Sequence, residues 1–395
     1  MRIGIDARFL THPQVGGFKT YTENLVNALS LVDSANTYVL YLDRPPAEAR
    51  VPGKSNFSYR VVDGTFPVLG MPIREQIALP RHMAEDRLDV MHFPCLTAAL
   101  KSRCPFVLSV HDVIWLTSRP GSLSVREGLS PKRWAMWLYN RWVPQLAVRS
   151  ARHIITGSHA AKEDIVARLG VPPEKISVVS HAIKTIFRPD RNAAVLEDVR
   201  RRYGLKEEFV LGIGAADPRK NLVGLVKAYA GLPDALRSQY QLCIVWTHSL
   251  LQQELLSLVE RLRVRGRVQF LQQVSDEDLA SLYNAATLFV FPSHYEGFGL
   301  PPLEAMACGT PVVAANNSSL PEIVGDAGLL VDSADFDALA AAMARMLTDA
   351  TLRGKLSRKG VERARQFSWE RFGRETLEVY EGVVHGMGFA GQGQG

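Results

Sequence analysis

The chain has 395 residues, long for one core and ordinary for two domains. Its 47% hydrophobic and 22% charged content is that of a globular protein, and no apolar run reaches the length of a bilayer span. The net charge of +6 and pI near 9.1 would suit nucleic acid, but no recognised nucleic-acid-binding module is present; an anionic small ligand or an anionic membrane surface accounts for the charge as well.

Apolar strand-like runs alternate with amphipathic helical stretches in both halves, the mark of doubly wound parallel sheets. A first series of strands is predicted at Arg2 to Ile5, Tyr38 to Leu42, Val90 to Phe93, Phe106 to Val110 and His153 to Thr156. The first strand begins at once, which reads as no signal peptide and a cytoplasmic chain. Within this half, Lys132-Arg133-Trp134-Ala135-Met136-Trp137-Leu138-Tyr139-Asn140-Arg141-Trp142 lies in a region with no acidic residue from Gly128 to Lys162. Cations beside tryptophans suit the inner face of a membrane and a lipid-linked ligand. Pro144 and the apolar residues after it favour instead a helix with its aromatics in the first core.

The polar segment Ile186 to Asn192 leads into a new helix, so the domain boundary is expected at 187/188. A second series of strands follows at Phe209 to Ile213, Leu242 to Trp246, Val268 to Leu271, Leu288 to Phe291, Val312 to Ala315 and Leu329 to Val331, giving a second domain over 188–368. A helix is expected over 369–385, and 386–395 has too little to bury and should be disordered. Cys95, Cys104, Cys243 and Cys308 show no metal or redox spacing and read as reduced core or near-core residues.

The most telling stretch is Glu296-Gly297-Phe298-Gly299-Leu300-Pro301-Pro302-Leu303-Glu304. It follows a buried-type strand, and its prolines stand where a helix tolerates missing N–H groups. Leu303, Met306 and Ala307 give that helix an inward face and Gly309 ends it. Such a helix start presents unpaired N–H groups and the positive end of a dipole, a place for phosphate. Glu296 and Glu304 would repel a bare diphosphate, but they suit neutral hydroxyls on groups flanking one, and two hydroxylated groups joined by a diphosphate describe a nucleotide sugar. The plainer reading makes Glu304 a first-turn acid and Glu296 a solvated loop residue.

A second glycine-rich turn, Gly212 to Leu222, carries adjacent Arg219 and Lys220 at a helix start, where cations are otherwise disfavoured. Fixed cations there would stabilise charge on a departing diphosphate without a metal. The pairs Asp276-Glu277-Asp278 and Asp335-Phe336-Asp337 read as helix starts rather than metal ligands. Gly16-Gly17 marks another glycine turn, and His111 follows a strand end, where α/β sheets bind ligands.

From Val274 to Asp332, above all in Tyr295 to Pro301 and Glu304 to Val313, the sequence resembles the nucleotide-sugar site of retaining GT-B glycosyltransferases of family four, group 1. The likeness extends to Ile5-Asp6-Ala7-Arg8, Gly16-Gly17, Tyr21-Thr22, His111-Asp112, Pro218-Arg219-Lys220-Asn221 and Phe367-Ser368-Trp369, nearly the whole chain. It implies the GT-B fold: two Rossmann-like doubly wound α/β domains facing a central cleft, the first for the acceptor and the second for the donor, with helix 369–385 packing back on the first. It implies a retaining, metal-independent hexosyltransferase with no cofactor beyond its donor. A mannose-, rhamnose- or glucose-like hexose would pass from a nucleotide diphosphate sugar to a hydroxyl of a glycan or polyprenyl-linked acceptor in polysaccharide biosynthesis.

The N-terminus leans toward mannose or rhamnose, with GDP-mannose as donor. By resemblance, Glu296 holds donor-sugar hydroxyls and Glu304 the ribose, within a donor loop formed by Gly297, Phe298, Gly299, Leu300 and, near the nucleobase, Val274. Arg219 and Lys220 meet the diphosphate, Gly16 and Gly17 close over it, and His111 contacts the transferred sugar. Three departures stand out: Ala215 where the family has arginine, leaving Arg219 as substitute, and Trp246-Thr247-His248-Ser249 and Gln272-Gln273 where it has glycines. A catalytically silent nucleotide-sugar-binding homologue and a nucleotide-sugar epimerase on the same architecture are the alternatives.

Overall fold

The computed structural model describes residues 1–12, 16–46, 51–64, 70–116, 131–214, 217–246 and 252–386. They form two compact units: Met1–Ser180 joined by the C-terminal helix Trp369–His385, and His181–Ser368. The division falls upstream of the expected 187/188 boundary. Phe187 is buried in the second unit's core with Ile183 and Ile186 packed against it, and Asn284 holds the following polar segment through Asp190 N–H (2.7 Å) and the Arg188 carbonyl (3.0 Å). Of the expected 386–395 tail, residues 387–395 lie outside the described set.

The first unit is built on a parallel sheet of β1 (Arg2–Ile5), β2 (Thr37–Leu42), β3 (Phe57–Val61), β4 (Val90–Phe93), β5 (Phe106–Ser109), β6 (His153–Thr156) and β7 (Ile176–Val178), in the order β3-β2-β1-β4-β5-β6-β7. The second sheet comprises β8 (Phe209–Gly214), β9 (Gln241–Trp246), β10 (Val268–Gln272), β11 (Leu288–Phe291), β12 (Val312–Ala315) and β13 (Leu329–Val331), ordered β10-β9-β8-β11-β12-β13 and again parallel. Every strand expected from the sequence is present. The two that were not expected, β3 and β7, are the edges of the first sheet. Edge strands need no continuous apolar run: most of β3 faces solvent, and β7 has three residues.

Each sheet carries an apolar core on both faces. In the second unit Phe289 and Phe291 point to one side and Leu288 and Val290 to the other, the alternation of a pleated strand buried on both faces. The strand order reverses between β1 and β4, and again between β8 and β11. The loops leaving the carboxyl ends of those strands flank a crevice, the usual ligand site of open α/β sheets.

Helix Trp369–His385 belongs to the first unit, placing Phe372, Val379, Tyr380 and Val383 in a core shared with Leu25 and Leu29 of helix Gly17–Val32. Gly373 allows the approach, since a Cβ there would stand 2.8 Å from the Ala28 carbonyl oxygen. Helix Pro131–Ser150 departs from expectation. Val143, Ala147 and Val148 form its buried side, whereas Trp134, Leu138, Trp142 and Leu146 are exposed. Its inward stripe is already taken by smaller side chains.

Candidate functional site

The second unit's crevice is assembled from the loops after β8, β11 and β13. Asp217 opens the turn Pro218–Lys220 by accepting the Arg219 N–H at 3.0 Å, and the Arg219 guanidinium folds back on the same carboxylate (Nε to Oδ2, 2.9 Å). Asn221, at φ +52°, caps helix Leu222–Ala230 by accepting the Gly224 N–H at 3.1 Å. Its amide donates to the carbonyls of Pro292 (3.1 Å) and Ser333 (2.8 Å), so one buried side chain ties three loops together. The Arg219 carbonyl in turn accepts the His294 N–H at 2.7 Å and the Ser293 hydroxyl at 3.0 Å. This cross-bracing brings Lys220 Nζ to 2.6 Å from Glu296 Oε1, both side chains largely shielded from water.

The glycine turn after Glu296 is held by two serines. Ser318 Oγ accepts the Glu296 N–H at 3.0 Å, and the Ser319 hydroxyl donates to the carbonyls of Glu296 (3.0 Å) and Phe298 (2.5 Å). Gly299 begins helix Leu300–Ala307 at φ +115°, a conformation L side chains rarely adopt. At the other end Gly309 (φ +81°) donates to Met306 O and Thr310 to Ala305 O, both at 2.9 Å, which is the Schellman closure.

Glu304 stands beyond the first turn of this helix, so a helix-start preference does not account for it. Burial pushes its carboxyl up to about 7. The Tyr283 hydroxyl, donating at 3.1 Å, pulls the other way, Asp276 adds to the rise and Lys184 opposes it. The two acidic pairs do open helices: Ser275 caps Asp276–Ala285, and Asp335 caps Phe336–Thr348. Asp276 is paired with Lys184, and Asp278 with Arg202 at 2.7 Å.

Val274 is half-buried against the second unit's core. Just before it, Gln273 adopts φ +55°, keeping a backbone shape that glycine would take without strain. Gln272 pairs in register with Trp246, so two of the departures noted in the sequence are neighbours at one end of the sheet. The Trp246 ring is buried, edge-on to Phe270 at 6.2 Å. Ala215 and the segment Thr247-His248-Ser249 lie outside the described residues.

In the first unit Gly16, at φ +149°, caps helix Gly17–Val32, whose Phe18 and Tyr21 rings reach His111 at 5.9 and 4.3 Å. Burial lowers His111 to about 4, which makes it neutral near pH 7, with Nε2–H donated to the Pro94 carbonyl at 3.2 Å. The glycine turn and His111 thus share one neighbourhood. Lys220, Glu296, Gly297, Phe298, Gly299, Leu300 and Glu304 share another in the second unit.

Sequence reasoning did not assign roles to Asn221, Tyr283, Ser318 or Ser319. It also passed over a buried ionic cluster at the carboxyl end of β1, where Arg8 meets Glu75 at 2.6 Å and Arg74 meets Asp6 at 2.9 Å. Burial works against the Asp6 carboxylate, but Arg74 and Arg8 overcome it and hold it below the usual range. Arg74 and Glu75 carried no signal because their partners lie 68 and 67 residues away in sequence.

Two doubly wound parallel units with crossed-braced loops at a strand-order reversal define the GT-B architecture. Sucrose-phosphate synthase from Thermosynechococcus elongatus is similar across 98% of this chain and 99% of its own, with a TM-score of 0.73 at 22% identity. Residues 15–186 match the model for Glycosyltransferase Family 4 and residues 197–366 that for Glycosyl transferases group 1. The chain is 41% identical over 233 residues to O-antigen chain mannosyltransferase B of Escherichia coli, covering 59% of this chain and 61% of that one. It is 32% identical over 312 residues to the MMP alpha-(1->4)-mannosyltransferase of Mycolicibacterium hassiacum, covering 75% and 71%. The chain belongs to the family-four, group 1 glycosyltransferases.

Proposed function

We propose that the protein transfers a hexose, mannose before others, from a nucleoside diphosphate sugar to a hydroxyl of a glycan or polyprenyl-linked acceptor. The observation that carries this reading is the Lys220–Glu296 pair, a cation and a carboxylate fixed 2.6 Å apart beside a helix that opens at Gly299. In the bound complex Lys220 is shared between Glu296 and the diphosphate, with Arg219 as the second cation and the N–H groups of the turn Gly297 to Leu300 completing the anion site. Glu296 accepts hydroxyls of the donor sugar and Glu304 those of the ribose, while Val274 lies by the base. Mannose is favoured because both relatives named above are mannosyltransferases.

Charge on the departing diphosphate is met by these fixed groups, so transfer is proposed to need no metal and to survive chelation by EDTA. Glu296, paired with Lys220, is a poor covalent nucleophile; the proposed course is departure of the diphosphate and attack by the acceptor hydroxyl on the same face, the hydroxyl passing its proton to a phosphate oxygen of the leaving group, with retention at the anomeric carbon. His111 serves as a neutral hydrogen-bonding group for the sugar, and Gly16 and Gly17 let backbone come close to the phosphates. A lipid-linked acceptor would place the reaction at the inner face of a membrane.

The test is thermal shift with UDP, GDP, ADP and dTDP and their sugar conjugates, repeated on Glu304→Ala. Stabilisation by one base family, lost in the variant, is the expected result. No shift with any nucleotide would end the enzyme reading, whereas stabilisation without turnover would leave a silent nucleotide-sugar-binding homologue. Product NMR then reads the anomeric configuration, and inversion would rule out the same-face course.

A further inference from the structure

We propose that the outer face of helix Pro131–Ser150 is a docking surface for an anionic lipid bilayer, which deepens the lipid-linked acceptor reading and rests on it. This 20-residue helix is apolar on two opposite sides. Val143, Ala147 and Val148 fix it to the first unit, and Trp134, Leu138, Trp142 and Leu146 recur every fourth residue along the other side. Trp134 is 46% and Trp142 58% exposed, although a helix apolar all round is ordinarily buried. Ile73 and Ile77 are also exposed, on a neighbouring helical stretch bonded to this one through Gln76 and Tyr139 at 3.0 Å.

Charge decides what covers the face. From Gly128 to Lys162 the chain carries Lys132, Arg133, Arg141, Arg149, Arg152 and Lys162 and no Asp or Glu. Arg149 and Arg152 are exposed at the end of the stripe. A second copy docked through the same patch would set these cations against each other, whereas anionic headgroups would neutralise them. Tryptophan and leucine flanked by Arg and Lys are the side chains that settle at the boundary between headgroup and acyl chain. No helix among the described residues is long and apolar enough to cross a membrane, so the helix lies on the bilayer.

The experiment is flotation of the full chain with vesicles of phosphatidylglycerol and phosphatidylcholine, against phosphatidylcholine alone. The double variant Trp134→Ser, Trp142→Ser and the pair Arg149→Gln, Arg152→Gln are run alongside. The chain should favour the anionic vesicles, lose binding as salt rises, and bind about tenfold more weakly in either variant. Should the tryptophan variant fold poorly, the arginine pair and the salt titration carry the test. Absent binding by the parent chain, undiminished binding by both variants, or a concentration-dependent dimer that the tryptophan variant abolishes would each overturn the proposal. Donor-induced stabilisation is read on the same samples. Its failure strikes the glycosyltransferase reading, while vesicle failure with intact donor stabilisation strikes the docking face alone.

Discussion

Lys220 and Glu296 arrive from different loops and meet only because Asn221 and the Arg219 carbonyl clamp those loops together. Lys220→Ala removes one partner of a shielded pair and the cation proposed for the diphosphate, so kcat/KM should fall by about 10²–10³, the cost of losing one fixed group at developing charge. A loss in Tm without a loss in turnover would reduce the pair to a structural brace. Glu304 gives a pH signature of its own. Its carboxyl, raised from 4.5 to about 7 in the folded chain, holds a proton that the unfolded chain gives up near its ordinary value. That contribution to stability is therefore full below about 4.5 and lost as pH climbs to about 7. Glu304→Gln keeps the shape without the charge, so its Tm should pull ahead of the parent's between pH 5 and 8; parallel curves in calorimetry would refute the assignment. Ribose hydroxyls donated to the ionised carboxylate would favour it, so donor affinity should rise across the same interval, with proton release visible by titration calorimetry in buffers of different ionisation heat.

The loop proposed to hold the donor depends on how its elements begin and end. Gly299→Ala would force a side chain into φ +115° and bring its Cβ to 3.0 Å from Leu320, so a loss of about 1–3 kcal/mol is expected by denaturant unfolding. Gln273→Gly should do the reverse and gain about 0.5–1 kcal/mol, because the strained φ of +55° becomes free. Both positions show what a sequence reveals. The glycines, prolines and paired acids from Glu296 to Gly309 are local signals with a local cause, and the helix they announce is there, together with every strand carried by a continuous apolar run. β3 went unannounced because most of it faces solvent, and β7 because it is only three residues long. Phe187 looked like linker because its core neighbours Tyr283 and Phe289 lie far along the chain. The same distance hid Tyr283 beside Glu304 and Arg74 beside Asp6. On helix Pro131–Ser150 composition pointed to both burial and an interface; only the helical phase shows that Val143 is buried and Trp142 is not.

Each unit closes its own cores, and the first does so with a helix from the far end of the chain. That helix is fastened by a buried run of hydrogen bonds: Tyr380 to His92 Nδ1 at 2.6 Å, His92 Nε2 to Ser109 at 2.8 Å, and Ser109 to Tyr21 at 2.8 Å, with Tyr21 edge-on to His111. Burial, with a smaller push from His111, drops His92 to about 3, so the run is neutral at working pH and its members only orient one another. Two units with separate cores predict a calorimetric profile that is not two-state, with a van't Hoff enthalpy below the measured one. The two transitions can be labelled independently. Tyr380→Phe strands a buried ring nitrogen and should cost about 1–3 kcal/mol, felt only in the transition of the first unit. A donor nucleotide at about 100 times its Kd should add about 2.7 kcal/mol, felt chiefly in the second, which carries Lys220, Glu296 and Glu304. If both perturbations move one and the same transition, the units unfold as a single cooperative block, and coupling between Tyr380 and the donor loops becomes measurable by combining the variant with the ligand.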